Sequence, residues 1–428
     1  MSYHIEDPDS RPPVATVVLP LPLWRELMES LGDHLQNRLR HSLIPELVTR
    51  LIGEQRDDVL TITRWDSTRG GACGGKVVLL FDHAEPAEGA GVVEDEESAR
   101  KRARRVVAYL PAGSDDLPEF WEFHGAKPRR LRLLPVDPST EVYTRVEGIF
   151  ETRKLAGKTV TIVGVGSLGS FCAEELVRCG VDSFRLVDYD RLEPHNVVRH
   201  ACDLRDLGRY KTRAVADLIW GVNPLATVEC LEIDVLAEAE AARKVVEGSS
   251  IVLVCTDGNP SRFLLNELCL ELGVLAVYGG AYERAFGGHV LRVIPGQTPC
   301  FECVIGGVLA SLGTLPEPQK GRVAYLGAEN QKDFVAEPGL GLDVRFIALI
   351  QAKMALLTLL RGEESALQDF PSDLVFWSNR KEWIFPAPLF AQFARTKFRK
   401  ECSACSGTTT FSEGDVSGAV CNWRAGES

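Results

Sequence analysis

The chain has 428 residues, 45% of them hydrophobic and 25% charged, with a formal net charge of −12. That length holds enough apolar material for about two or three domains. The acidic balance excludes a nucleic-acid binder that works through a basic surplus.

The N-terminus "MSYHIEDPDSRPP" is polar and acidic, unlike a signal peptide. Residues 1–138 read as a small N-terminal α/β accessory domain. "VATVVLPL" is a strand, "LWRELMESLGDHLQNRLR" an amphipathic helix, and "VLTITRW", "KVVLLFD", "RVVAYLP" and "RLRLLPV" are further strands. The glycines of "DSTRGGACGG", which carry Cys73, mark a flexible turn. The basic run "RKRARR" (100–105) beside "EDEES" (94–98) reads as a solvated helix face or linker.

From residue 139 to 405 the pattern is sharper. Strands "TVTIVGV", "SFRLVDYD", "TVECLEID", "SIVLVCTD" and "GVLAVYGG" alternate with helical segments "FCAEELVRCG", "KTRAVADLIWG" and "RFLLNELCLELG". Such alternation predicts a Rossmann-like, doubly wound, mostly parallel sheet, with ligands at the strand carboxyl ends. "HVLRVIP", a long loop over about 306–341 and a helix over 344–361 follow. That helix carries Gln351 and Lys353, so it reads as buried, not membrane-spanning. Residues 406–428 are polar and rich in Gly, Ser and Thr, as in a flexible tail. Twelve cysteines without an export signal suggest thiols and metal ligands in the cytoplasm.

"TIVGVGSLGS" places Gly164, Gly166 and Gly169 between a strand and a helix, the spacing of a phosphate-cradling loop. Asp188 ends the next strand, where an acid binds ribose hydroxyls. NAD satisfies both features. Asn196, Arg199, Lys211 and Asp257 shift the balance. Hydride transfer needs no such set, whereas attack on the α-phosphorus of a triphosphate needs cations on the phosphates and an acid to hold Mg²⁺. The bland alternatives are a strand cap for Asp188 and surface charges for Arg199 and Lys211. His195 and His289 have no partner pattern and read as structural or surface residues.

"GVGSLG", "LVDYDRLEPHNVVRH", "GRYK", "VCTDGNPSR", "GGHVLRV" and two CxxC pairs together resemble the E1-like superfamily of ThiF, MoeB and HesA enzymes, over roughly 140–405. The resemblance implies that Asp188 binds the ATP ribose, that Asn196, Arg199 and Lys211 contact phosphates, and that Asp257 holds Mg²⁺. Arg145 resembles the family's arginine that enters the partner subunit's nucleotide site, which implies a homodimer; the plain alternative is an ordinary helix residue. His200 stands where many members have Gln.

Cys300 and Cys303, with Cys402 and Cys405, can supply the four thiolates of a closed structural zinc site. Many relatives carry a nucleophilic cysteine in the crossover loop after the first pair. Here no cysteine occurs between Cys303 and Cys402. The expectation is therefore that no stable enzyme thioester forms; should one form, Cys421 is the candidate, with Cys202 and Cys73 behind it. Cys172, Cys179, Cys255 and Cys269 read as packing residues, and Cys230, like Cys202, is ambiguous.

The expected function is ATP-dependent adenylation of the C-terminal carboxylate of a ubiquitin-like protein, with an E2-like acceptor as a further partner and no nucleic acid or membrane. One alternative is thioester-free adenylation of a peptide C-terminus, as in peptide-antibiotic maturation. The other is a non-catalytic partner of a split E1, which should have lost Arg199, Lys211 or Asp257.

Overall fold

The computed structural model describes residues 141–310, 312 and 339–405, together with 16–21, 24–25, 49–56, 59–66, 77–80, 105–109, 119–124 and 127–137. Cys73, Cys421, most of the 306–341 loop, the tail 406–428 and most of the expected helix after Leu23 lie outside these residues. The chain falls into two compact units, Met1–Thr144 and Arg145–Ser428.

The first unit is built on an eight-stranded mixed sheet. Its strands are β1 (Thr16–Pro20), β2 (Thr49–Arg56), β3 (Val59–Asp66), β4 (Val77–Leu80), β5 (Arg105–Tyr109), β6 (Glu119–His124), β7 (Lys127–Arg130) and β8 (Arg132–Val136), in the order β7-β6-β5-β4-β2-β3-β1-β8. β2, β6 and β7 go beyond the strands expected from the sequence.

The second unit has its own eight-stranded sheet. Its strands are β9 (Thr159–Val163), β10 (Ser183–Val187), β11 (Thr227–Leu231), β12 (Ile251–Val254), β13 (Leu275–Ala281), β14 (Gly287–Val293), β15 (Leu374–Ser378) and β16 (Phe390–Ala394). They run in the order β11-β10-β9-β12-β13-β14-β15-β16. The first five are parallel and the last three antiparallel. The sheet is therefore mostly parallel and Rossmann-like, as the strand–helix alternation predicts. The chain leaves β9 on one side for β10 and β11, then returns to its other side for β12. Ligands bind at the carboxyl edge of such a reversal.

Among the described residues the sheet is accompanied by the α-helices α1 (Ser167–Arg178), α2 (Lys211–Val222), α3 (Ala239–Val246), α4 (Asn259–Leu272), the short α5 (Phe301–Val304) and α6 (Gly341–Leu359). Alternate strand residues feed two cores. Val160, Ile162, Ile251 and Leu253 pack with Leu176 of α1, Ile219 of α2 and Ile347 of α6. Val163, Val252 and Val254 pack with Val245 of α3 and Leu265 of α4. Both faces are covered, which is why "IVLV" of β12 is apolar throughout and fully buried.

Helix α6 is an interior helix. Gln351 is completely buried in it, and its amide Nε2 donates to the carbonyls of Val254 (3.3 Å) and Val277 (2.9 Å). Its Oε1 accepts from the thiols of Cys255 (3.4 Å) and Cys172 (3.7 Å). No helix of the described residues is long and apolar enough to cross a membrane.

Candidate functional site: three level strand ends and a cysteine cluster

Parallel pairing sets Val163 of β9 level with Val187 of β10 and Val254 of β12. One residue beyond the first two ends stand Gly164 and Asp188, and three beyond the third stands Asp257. Register thus gathers the glycine loop and both candidate acids at one edge.

The three glycines act differently. Gly164 has φ +88°, and a Cβ there would meet the Cys255 carbonyl carbon and oxygen, each at 2.9 Å. Only glycine combines that left-handed turn with that approach to the end of β12. A Cβ on Gly169 would stand 2.0 Å from the Gly164 carbonyl oxygen, so this glycine seats α1 on the loop. At Gly166 a Cβ would meet nothing within 4 Å. Its bareness leaves space at the start of α1, where backbone N–H groups and the helix dipole favour an anion.

Asp188 closes the loop from the side. Its Oδ2 accepts from the Val165 N–H (2.8 Å) and its Oδ1 from the Asp190 N–H (2.9 Å). Each oxygen keeps a second lone pair, so the carboxylate both organises the loop and can accept from ribose hydroxyls. Burial holds its carboxyl above the usual carboxylate range, and the Lys211 charge opposes that shift.

Lys211, the first residue of α2, is 8% exposed, and its Nζ lies 2.7 Å from Asp190 Oδ2. The loop after β10 is stitched to the segment before α2. Leu192 N–H donates to the Arg209 carbonyl (2.8 Å), and Lys211 N–H to the Asp190 carbonyl (3.1 Å). The Arg191 guanidinium also covers the Tyr210 ring at 3.8 Å. Asp190 was missed by sequence reasoning; the Asp-x-Asp spacing of "DYD" was the available signal.

Asn196 and Arg199 lie on one tight turn. The Asn196 side-chain oxygen accepts from the Glu193 N–H (3.0 Å), and the Arg199 N–H donates to the Asn196 carbonyl (2.8 Å). Helix α6 begins against this turn at Gly341, where a Cβ would stand 2.3 Å from the Val198 carbonyl oxygen. Asp257 is exposed between β12 and α4. Arg262, which sequence reasoning gave no role, ties that turn down by donating to the Thr256 carbonyl (2.7 and 3.0 Å) and the Gly279 carbonyl (3.2 Å).

Arg145 is not brought to this edge by any described contact. It is exposed in a turn, not a helix, and that turn is tied near the far end of α1. The Glu147 carboxylate accepts from Thr152 N (3.2 Å) and Oγ1 (3.0 Å), and Thr152 packs against Gly180. His289 is buried and ring-packed with Tyr282, and His195 pairs with Glu193 at 3.3 Å.

The four knuckle cysteines converge, all buried, with their sulfurs within 4.8 Å of one another. Cys300 faces Cys402 at 3.5 Å and Cys303 faces Cys405 at 3.4 Å. A tetrahedral zinc with Zn–S bonds of about 2.3 Å sets its sulfurs about 3.8 Å apart, so the donor set fits that ion. The Arg399 N–H donates to Cys303 Sγ (3.4 Å), Phe301 N–H to Asn266 Oδ1 (3.0 Å) and Ser403 Oγ to Glu302 (2.7 Å). Hydrogen bonds with the Cys300 and Cys405 thiols pull the Cys303 thiol down to about 4, while hydrogen bonds with Cys300 and Cys303 push the Cys405 thiol up.

Cys172, Cys255 and Cys269 are buried and Cys179 is half-buried, in keeping with packing roles. Burial raises the Cys202 thiol to about 12 and the Cys230 thiol to about 11. Neither has the lowered pKa of an activated nucleophile.

Ubiquitin-like modifier-activating enzyme 5 of Oryza sativa subsp. japonica is 33% identical over 164 residues, 36% of this chain and 39% of that protein. The protein of the same name from Rattus norvegicus is 28% identical over 233 residues, 51% of this chain and 55% of that protein. The chain thus spans about half the length, or less, of these curated relatives. A crystal structure of E. coli MccB with MccA-N7isoASN superposes with a TM-score of 0.48 at 18% identity, covering 63% of this chain and 76% of that one. The ThiF family model matches residues 143–386, more than half of the sequence, and the chain belongs to the ThiF family.

Proposed function

We propose that the protein binds Mg-ATP at the carboxyl edge of β9, β10 and β12 and adenylates the C-terminal carboxylate of a ubiquitin-like protein. The observation that carries this reading is the meeting of the glycine loop, Asp188, Lys211 and Asp257 beyond level strand ends. Asp188 accepts from the ribose hydroxyls. Gly166 leaves room for phosphate at the start of α1. Lys211 and Arg199 balance phosphate charge, and Asn196 holds the turn that presents Arg199. Asp257 would hold Mg²⁺, which supplies further positive charge at the phosphates.

The substrate carboxylate attacks the α-phosphorus, and pyrophosphate leaves. No protein nucleophile enters that step, so proximity and cationic stabilisation supply the acceleration. Asp190, 2.7 Å from the Lys211 ammonium, holds that cation at the edge. The four cysteines hold a structural zinc. The N-terminal unit serves as an accessory domain that recruits the substrate or an E2-like acceptor.

Arg145 acts in the partner's site of a homodimer. The tying of its turn near the far end of α1 supports action in trans. Mixing inactive Arg145→Ala with inactive Asp257→Ala should restore part of the activity, because mixed dimers hold one site with both residues intact. Failure of recovery despite proven subunit exchange would remove Arg145 from this role.

Calorimetry tests the nucleotide reading: Mg-ATP should bind and NAD should not. Tight NAD binding without ATP binding would overturn it. One observation favours the second reading, thioester-free adenylation of a peptide C-terminus. No cysteine lies between Cys303 and Cys402, and the Cys202 thiol is held far from the thiolate. Incubation with Mg-ATP and the cognate substrate, followed by non-reducing gels of wild type and Cys421→Ala, separates the two. A reducible adduct lost in Cys421→Ala would establish the thioester route.

A further inference from the structure

His200 directly follows Arg199, and its ring is 7% exposed. Its Nδ1 accepts from the Cys202 backbone N–H at 3.1 Å, so Nδ1 carries no proton. In the neutral ring the proton then sits on Nε2, which donates to the Val165 carbonyl at 2.8 Å. Val165 lies inside the glycine loop, between Gly164 and Gly166. Its N–H is already bound by Asp188. Both polar groups of this loop residue are thereby claimed, one by the candidate ribose acid and the other by the neighbour of the candidate phosphate arginine. The Ala201 N–H also donates to Ser170 Oγ of α1 at 3.2 Å, so the segment is pinned to the loop and to the helix behind it.

We infer that His200, as the neutral Nε2–H tautomer, is a positioning residue that fixes the phosphate loop and the Arg199 turn in one mutual arrangement for Mg-ATP. This inference rests on the nucleotide reading above. The imidazole is suited to the position because it donates on one side and accepts on the other across a rigid ring. Adding a proton would destroy that match. Nδ1–H would point at the Cys202 N–H, donor against donor, and the 200–202 segment would have to move.

Burial holds the ring below the ordinary histidine range, against the hydrogen bond to the Val165 carbonyl, which raises it; Lys211 on α2 lowers it further, and Asp206 in the turn Leu204–Asp206 raises it. The sign follows. The native state favours the neutral ring, so the clamp is intact above the unfolded histidine range and is lost as pH falls through the depressed native value.

The test uses the full-length protein and Mg-ATP, with affinity measured by calorimetry at pH 7.5 and at successively lower pH until nitrogen NMR shows the His200 ring protonated. At pH 7.5, His200→Leu should bind about tenfold more weakly, the scale of one lost buried hydrogen bond with its partner left unpaired. His200→Gln has a donor and an acceptor but does not titrate, so it should recover most of that loss. Protonation of ATP itself is common to all variants. Wild type should therefore lose several-fold more affinity than His200→Gln once the His200 ring takes up its proton.

Nitrogen NMR of the His200 ring without nucleotide should show Nε2–H at pH 7.5. The inference is overturned if His200→Leu binds like wild type, if wild type and His200→Gln weaken in parallel across the pH at which NMR shows the His200 ring protonating, or if the proton sits on Nδ1. Should His200→Leu not fold, the last two measurements still decide it. Wild type that fails to bind Mg-ATP at pH 7.5 would instead overturn the nucleotide reading itself, a distinguishable result.

Discussion

The strand edge and the cysteine cluster belong to the same unit and are built by opposite means. At the edge, backbone does the assembly: sheet register levels three strand ends, and Gly164 and Gly169 allow the loop and α1 to close on them. The candidate binding groups then stand in place as a by-product of the fold, with Asp257 exposed to solvent. In the cluster, side chains do the assembly. Four buried sulfurs join α5 to a segment about 100 residues later. Damage to the first should remove chemistry and spare the fold. Damage to the second should remove the fold before it touches the chemistry.

The largest expected effect breaks the edge. Asp257→Ala should lower pyrophosphate exchange with the cognate substrate by on the order of 10²–10³-fold, because a charge that holds Mg²⁺ at the triphosphate is gone. Zinc content and melting temperature should stay at wild-type values. Near-normal exchange would give this exposed aspartate another role.

Next, Cys402→Ser should break the cluster. A closed thiolate site contributes folding energy, so the variant should lose its metal and melt well below wild type. Metal analysis should give one zinc per chain in wild type. A stable, metal-free Cys402→Ser protein that still binds Mg-ATP normally would contradict the comparison.

Two glycine substitutions sharpen it. Gly169→Ala forces a Cβ against the Gly164 carbonyl oxygen and should cost about 1–3 kcal/mol of stability. Gly166→Ala meets no protein atom within 4 Å, so it should leave the melting temperature unchanged and weaken Mg-ATP alone. Equal stability losses at the two positions would mean that Gly166 is a packing glycine too. The smallest effect belongs to Asp190→Asn. With the resting partner of Lys211 neutralised, Mg-ATP binding should change by only about two- to fivefold, in keeping with a partly exposed ion pair. A hundredfold change would place Asp190 in contact with the nucleotide.

Much of the edge was legible in the sequence because its signals are local. A glycine at a fixed offset from a strand, an acid at the end of the next strand and CxxC pairs all report on their immediate neighbours. Helices α1, α2 and α4 were legible for the same reason, each carrying an apolar face over three or more turns, and α6 by its long, mostly apolar run. β15 and β16 were not, because they sit in antiparallel ladders with no helix between them to mark the alternation. In the first unit β2 was hidden by its polar "TRLIGEQR" and by a register shift at Ile52/Gly53, which breaks the period of two. The link between His200 and Val165 spans 35 residues and ends on a backbone carbonyl, so no residue type announces it. The resting pair of Lys211 with Asp190 depends on two loops being stitched together, a tertiary fact.

The level ends of β9, β10 and β12 also bear on how such a sequence can drift. A residue inserted within Thr159–Val163 would move Gly164 by about 3.3 Å and turn every following side chain to the opposite face. Val160 and Ile162 would exchange cores with their neighbours in a single event. The same insertion placed among residues 232–238, between β11 and α3, would lengthen only a loop. Length variation among descendants of this chain should therefore collect beyond the strand carboxyl ends and spare the strands themselves. A library of single-residue insertions scored by soluble expression would draw that boundary directly.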